Sequence, residues 1–195
     1  IEVPAFEGDR GISLSNHVVT ASVLNRSFSV DAQVFFQANR HVLPAMVEFV
    51  TSHAVGERVM DLYSGVGLFA SFLQALGKSV VAVERDPRCL ELARMNLTEN
   101  VGFYSKSVEA YARSTTEHFD TVVVDPPRGG LDLSVVDAIV SYKPQAIIYV
   151  SCNSVTLARD VKRFSKTGYR PKVLQMFDMY PQTSHIETAM LMSKL

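Results

Sequence analysis

Asp61-Leu62-Tyr63-Ser64-Gly65-Val66-Gly67-Leu68-Phe69-Ala70 runs from a β-forming stretch through a glycine turn into a helical pattern. Glycines let the backbone turn sharply and approach a ligand closely. Glu84 closes the next apolar strand roughly 20 residues on, where a carboxylate can accept hydrogen bonds from ribose hydroxyls. Three readings of the turn stand side by side. Gly65-x-Gly67-x-x-Ala70 formally fits a dinucleotide fingerprint, so NAD is one. Asp61 favours a second, because a carboxylate there would repel a pyrophosphate and suit the cationic amino-acid end of S-adenosylmethionine. The third is a tight strand–helix turn with no ligand.

Outward from this turn, strands and helices alternate. Arg58–Tyr63 reads as a strand, Leu68–Leu76 as a helix, Ser79–Glu84 as a strand, and Pro87–Asn100 as a helix opening with proline. Thr121–Asp125 and Ala146–Ser151 are strands and Ser154–Lys166 a helix; Lys172–Phe177 and Glu187–Met192 close the chain as strands. Upstream, Val18–Leu24 and Phe28–Val30 read as strands turned at Asn25-Arg26. Leu43, Met46, Val47 and Val50 mark a helix over Arg40–His53. Apolar strands alternating with helices imply an α/β fold with a parallel sheet covered on both faces. Ligands of such sheets lie beyond the carboxyl ends of the strands. Residues 35–195 are expected to form the catalytic domain, with 1–34 a strand-rich remnant of a preceding region.

The 195 residues suit one α/β domain, and 47% hydrophobic against 20% charged residues gives an ordinary globular balance, which excludes general disorder. No apolar run approaches the ~18 residues of a membrane span. Ile1-Glu2-Val3-Pro4 reads as a processed start or a fragment. The 2 cysteines, Cys89 and Cys152, lie far apart without a CxxC pair, which argues against a disulfide framework or a metal site. A cytoplasmic, monomeric protein is expected. The net charge of −1 excludes a chain that binds nucleic acid through bulk electrostatics. One basic stripe remains: Arg159, Lys162, Arg163 and Lys166 at helical spacing, followed by Arg170 and Lys172. It can track phosphates or simply form a solvated helix face.

Three further segments carry chemistry. In Asp120-Thr121-Val122-Val123-Val124-Asp125-Pro126-Pro127-Arg128-Gly129-Gly130, two prolines stiffen the backbone as it leaves the sheet. Asp125 can accept a hydrogen bond from a ring or amino hydrogen there, and Arg128 can donate to a carbonyl oxygen or a phosphate. In Ile147-Ile148-Tyr149-Val150-Ser151-Cys152-Asn153-Ser154, Cys152 ends a buried strand before a helix, whose dipole is expected to lower the thiol pKa. Cys89, inside an amphipathic helix, reads as a packing or surface residue. Asp178-Met179-Tyr180-Pro181-Gln182-Thr183-Ser184-His185-Ile186-Glu187 leads through a loop into the last strand. Glu187, beside apolar residues, is a candidate base with a raised pKa. His185 ranks behind it, as a residue that orients the loop or contacts RNA.

Together these segments resemble the RNA 5-methyluridine (uracil-5-)-methyltransferase family, over about Phe35 to Leu195. The resemblance implies a Rossmann-like S-adenosylmethionine-dependent fold, a seven-stranded mostly parallel sheet with an antiparallel last strand. It implies methylation of carbon 5 of a uridine in tRNA or rRNA. Cys152 then corresponds to the nucleophile that adds to carbon 6, and Glu187 to the base that removes the carbon-5 proton. Gln37 in Phe36-Gln37-Ala38-Asn39, Tyr63, Gly65, Glu84, Asp125 and, less closely, Ser107 correspond to cofactor-contacting positions. Asp125 and Arg128 correspond to the edge of the substrate site. Leu68 replaces a polar residue common at its place, and the family's N-terminal RNA-binding barrel and iron–sulfur cysteines are not present in the chain. RNA cytosine-5 methylation and a non-catalytic module that binds cofactor or RNA are the alternatives.

Overall fold

Alternating apolar side chains along the strands build two cores on opposite faces of one sheet. The computed structural model describes residues 18–37, 39–98 and 101–194. In β3 (Arg58–Leu62), Val59 packs on one face and Met60 and Leu62 on the other. β6 (Thr121–Val124) sends Val123 to the first face and Val122 and Val124 to the second. β7 (Ala146–Ser151) does the same with Ile148 and Val150 against Ile147 and Tyr149. This is the two-residue period of strands buried on both sides.

The first face is covered by α1 (Leu43–His53), α2 (Leu68–Ala75) and an antiparallel hairpin of β1 (Val19–Val23) and β2 (Arg26–Val30). α3 (Pro87–Asn96) adds Leu92 to the same core. The second face is covered by α4 (Val108–Ser114), α5 (Leu133–Ser141) and α6 (Ser154–Ser165).

With β4 (Ser79–Glu84), β5 (Gly102–Ser105), β8 (Tyr169–Phe177) and β9 (Glu187–Lys194), the seven strands lie in the order β5-β4-β3-β6-β7-β9-β8. β5 to β7 run parallel, and β9 pairs antiparallel with both β7 and β8. This is the expected mostly parallel sheet with a reversed last strand. From β3 the chain builds outward through β4 and β5, then returns to lay β6 and β7 on the other side. The carboxyl ends of β3 and β6 therefore flank a topological switch point.

Element ends differ from the sequence expectations where side chains compete for backbone groups. The helix expected from Arg40 starts at Leu43. Asn39 Oδ1 accepts from the N–H groups of His41 and Val42 and holds residues 40–42 as a turn. The helix expected to reach Asn100 stops at Asn96, with Leu97 extended; residues 99 and 100 lie outside the described residues.

The basic stripe on α6 turns partly inward. Asp160 is fully buried and accepts from Tyr149 Oη at 2.9 Å and the Leu131 N–H at 2.8 Å. Arg159 Nε and Arg163 Nη1 each meet Asp160 Oδ1 at 2.9 Å. The same arginines donate to the carbonyls of Gly129 and Leu131. Arg159 and Arg163 thus anchor the proline loop to α6, whereas Lys162, Lys166 and Lys172 stay exposed. Replacing Asp160 with Ala removes the partner of two arginines and leaves the buried Tyr149 hydroxyl and Leu131 N–H unpaired, so we expect a loss of about 3 kcal/mol. Urea unfolding should show a lower midpoint with an unchanged slope.

Candidate active site

The strand ends surround a cavity of ≈ 800 Å³ at the switch point. Of the residues singled out in the sequence, Gln37, Tyr63, Gly65 and Glu84 line one part of it. Asp125, Arg128, Cys152 and Glu187 line another. Ser107 does not reach the lining. It caps α4, its hydroxyl accepting from the Ala110 N–H at 3.1 Å, while its neighbours Val108 and Glu109 face the cavity.

The glycine turn is held from below and from the side. Gly65 and Gly67 take positive φ values of 53° and 84°, and Tyr63 is left-handed at 62° without being glycine. Glu84 accepts from the N–H groups of Gly65 at 3.0 Å, Arg85 at 2.7 Å and Asp86 at 2.9 Å. A carboxylate has about four acceptor positions, so Glu84 keeps capacity for a ligand hydroxyl. Gln37 Oε1 and Ser64 Oγ are buried on the lining and bond to no protein group among the described residues. Buried polar atoms are normally satisfied, so these two point to a polar ligand in the cavity. Ala38, between Gln37 and Asn39, lies outside the described residues.

Asp61 does not play the part expected of it. It is wholly buried beneath the turn, and Oδ2 accepts from the Ala70 N–H at 3.0 Å. Burial pushes its carboxyl up to about 8, against the Ala70 hydrogen bond and with help from Asp125 and Glu84. It lies off the cavity lining and ties β3 to α2, so it does not meet a ligand directly.

At the other end of the cavity, β9 delivers Glu187. Ser151 pairs with Thr188 in the antiparallel ladder, and Thr188 Oγ1 donates to the Ser151 carbonyl at 3.1 Å. The next positions in register are Cys152 and Glu187. Glu187 is 4% exposed, and burial raises its carboxyl while Arg128 opposes the shift. Burial and then Glu187 push Asp125 up to about 7. Cys152 is partly exposed. Contrary to expectation its thiol is raised, first by burial and then by Glu187, with Arg128 acting the other way. The physical reason is that burial and the Glu187 carboxyl outweigh the helix dipole; Asn153 caps α6 and accepts from Val155 and Thr156 N–H, so the thiol stands just before the first helical turn.

Arg128 is exposed at the mouth, and its guanidinium donates to His185 Nδ1 at 3.1 Å. Its carbonyl accepts from Asn153 Nδ2 and Thr156 Oγ1, both at 3.2 Å. His185 stands edge-on to Tyr180, which also lines the cavity and whose hydroxyl is pushed up by burial, Glu187 and Cys152. Sequence reasoning missed Glu109, which accepts from Tyr63 Oη at 3.3 Å, because α4 was not read as a helix. It also missed that Cys89, buried in α3, borders the cavity, its thiol pushed up to about 12 by burial. Among the described residues no group of three or more His, Cys, Asp or Glu is placed to hold a metal ion. Nor is any helix among them long and apolar enough to cross a membrane.

This strand order, with its reversed last strand and a cavity at the switch point, is the S-adenosylmethionine-dependent methyltransferase fold. Residues 16–195 match the model of the tRNA (Uracil-5-)-methyltransferase family, and the chain belongs to that family. The assignment sets aside the dinucleotide reading of the glycine turn. The chain is 38% identical to a tRNA (uracil(54)-C(5))-methyltransferase of Pyrococcus abyssi, over 78% of this chain and 37% of that protein. It is 41% identical to a 23S rRNA (uracil(1939)-C(5))-methyltransferase of Pseudomonas syringae, over 80% of this chain and 37% of that one. The crystal structure of the Pyrococcus abyssi tRNA (uracil-54, C5)-methyltransferase with S-adenosyl-L-homocysteine superposes with a TM-score of 0.82 at 33% identity, covering 91% of this chain and 44% of that one. The chain spans less than half the length of these relatives.

The Asp61 proton gives a thermodynamic signature. Between its ordinary value of 3.8 and about 8, folded Asp61 holds a proton that the unfolded chain has released. Its contribution is therefore full below the lower value and lost as pH rises through the upper one. Asp61→Asn keeps an acceptor for Ala70 and removes the titration. Melting temperatures measured from about pH 4 to about pH 8 should show the variant gaining steadily on the wild type; a constant difference would refute the shift.

Proposed function

We propose that the protein carrying this chain methylates carbon 5 of a uridine in tRNA or rRNA through a covalent Cys152 adduct, with S-adenosylmethionine as methyl donor. The observation that carries this reading is the β7–β9 register, which sets Cys152 and Glu187 next to each other at the cavity with Asp125 and Arg128 alongside. Gln37, Tyr63, Ser64, Gly65 and Glu84 would hold the donor. Two buried polar atoms without protein partners and a carboxylate with spare acceptor capacity fit a nucleoside bearing an amino acid. Ser107 would act only through α4. The catalytic unit would include residues 35–195, and the protein would work in the cytoplasm as a monomer.

Uracil carbon 5 is a weak nucleophile until a thiolate adds next to it. The target base must leave its stack to reach the cavity. Asp125 and Arg128, both on the cavity lining, would meet its polar edge as acceptor and donor. The Cys152 thiol loses its proton to solvent, and Arg128 stabilises the resulting charge. Cys152 Sγ attacks carbon 6, forming an S–C6 bond and moving the C5–C6 π pair into an enolate over C5 and O4. S-adenosylmethionine, when bound, supplies the electrophilic methyl group that this carbon takes up. The Glu187 carboxylate then removes the C5 hydrogen as a proton. The freed pair restores the C5–C6 double bond and expels the Cys152 thiolate.

Methylation of RNA by the protein, followed by nucleoside mass spectrometry, should yield 5-methyluridine. Cys152→Ala should lose turnover and adduct together. Glu187→Gln should cut turnover by at least about a thousandfold while leaving a protein–RNA adduct that survives a denaturing gel. Turnover in Cys152→Ala would overturn the covalent step.

The raised thiol also predicts a pH profile. The reactive thiolate grows with pH, so kcat/KM should climb from neutrality towards and beyond the ordinary thiol value of about 8.5. Because Arg128 is the group that favours the thiolate, Arg128→Ala should move the rise to higher pH. The pH–rate profiles of both proteins check this.

A further inference from the structure

The β1–β2 hairpin precedes residues 35–195, the expected catalytic domain, but it lies within the residues that match the family model and touches two walls of the cavity. Val23, Phe28 and Val30 are buried in the same core as α1 and α2, with Phe28 packed on Phe72 and Phe36 at ring separations of 5.8 and 6.1 Å. Asp31, at the end of β2, is 8% exposed and pairs with Arg88 of α3. Its Oδ1 also accepts from the Gln33 N–H at 2.8 Å. The chain that leaves this anchor, Val34 to Gln37, forms one wall of the cavity.

The second connection runs through Asn96, the last residue of α3. Its Oδ1 accepts from the Ser29 N–H at 2.7 Å, and its Nδ2 donates to the Ser29 carbonyl at 3.1 Å. The same amide donates to the carbonyl of Val66, inside the glycine turn, at 2.9 Å. One side chain therefore bonds both the hairpin and the turn. The contact is close: a Cβ on Gly67 would meet Leu97 Cδ1 at 2.9 Å. The turn therefore packs directly on the end of α3.

We propose that the hairpin is a working part of the cofactor site and that Asn96 is the positioning residue that transmits its docking to the glycine turn. Residues 18–34 then belong to the catalytic unit rather than to a remnant before it. The inference rests on the reading of this cavity as the S-adenosylmethionine site. Cofactor binding and hairpin docking are linked, so each strengthens the other by the same factor.

S-adenosylhomocysteine is titrated into wild type, Asn96→Ala and Asn96→Asp by calorimetry, and hydrogen exchange is followed with and without it. The aspartate variant keeps the acceptor for the Ser29 N–H and loses the donor to the Ser29 and Val66 carbonyls, and it carries the test if the alanine variant does not fold. In the wild type the ligand should slow exchange in residues 26–30 as well as in the turn at residues 64–68. The variants should bind about tenfold more weakly, the effect of one buried hydrogen-bonding group left unpaired. Their hairpin protection should no longer respond to ligand, and KM for the methyl donor should rise with kcat unchanged. Unaltered affinity in a folded variant, or wild-type protection confined to the turn, overturns the proposal. A wild type that does not bind the ligand overturns the cofactor reading instead.

Discussion

The pairing of β9 with β7 decides what the cavity can do. β9 runs against its neighbours, so its first residue arrives at the end of the sheet where the parallel strands finish. A parallel β9 over the same six paired positions would carry Glu187 to the far end, about 20 Å away. Register matters as much as direction. A slip of one residue would turn Glu187 to the opposite face. Thr188 holds the pairing at the critical end by bonding to the Ser151 carbonyl. Reversal of the last strand is therefore the device that brings a carboxylate from the chain's end beside a thiol that ends β7.

Crowding carboxyl groups at that end has an electrostatic cost. Asp61, Asp125 and Glu187 are all raised, chiefly by burial. Arg128 is the cation that acts on both Glu187 and Cys152, so its placement governs the protons of the reacting pair. It is held at the backbone by Asn153 and Thr156 and through its loop by Arg159 and Arg163 on Asp160. Helix α6 thus fixes the cation through its buried face. Arg159 and Arg163, which look in sequence like part of a phosphate-tracking stripe, serve this anchoring.

The strands were legible because their apolar runs end in residues with evident chemistry. Ser79–Glu84 and Ala146–Ser151 fall where expected to the residue, and the sites at Glu84 and Cys152 follow from them. β5 left little trace, since its four residues include no buried side chain to mark a period. α4 was missed for its brevity, with only Val108 and Tyr111 buried. α5 does carry Val135, Val136 and Ile139 at helical spacing, a signal that was present and not used. Electrostatics was the less readable layer. Asp61 looks like a ligand-facing charge until its depth is known, and Cys152 looks dipole-activated until its burial beside Glu187 is known. Both errors concern distances of one residue or one side chain, which sequence spacing does not resolve.

The raised thiol changes how the cysteine's reactivity must be understood. A higher pKa leaves less thiolate at neutral pH, by tenfold for each unit, but makes that thiolate a stronger nucleophile, by about threefold for each unit. The net penalty on attack at carbon 6 is therefore about threefold per unit. Expulsion in the last step is slowed as well, because a more basic thiolate leaves less readily. A cation able to follow the charge on sulfur eases both steps, and Arg128 is in that position. Its guanidinium bonds to His185 Nδ1, and among the described residues it forms no salt bridge with a carboxylate, so its charge is not consumed by a partner. The same reasoning explains why Cys89, raised further and without a neighbouring cation among the charges that shift it, borders the cavity without sharing this chemistry.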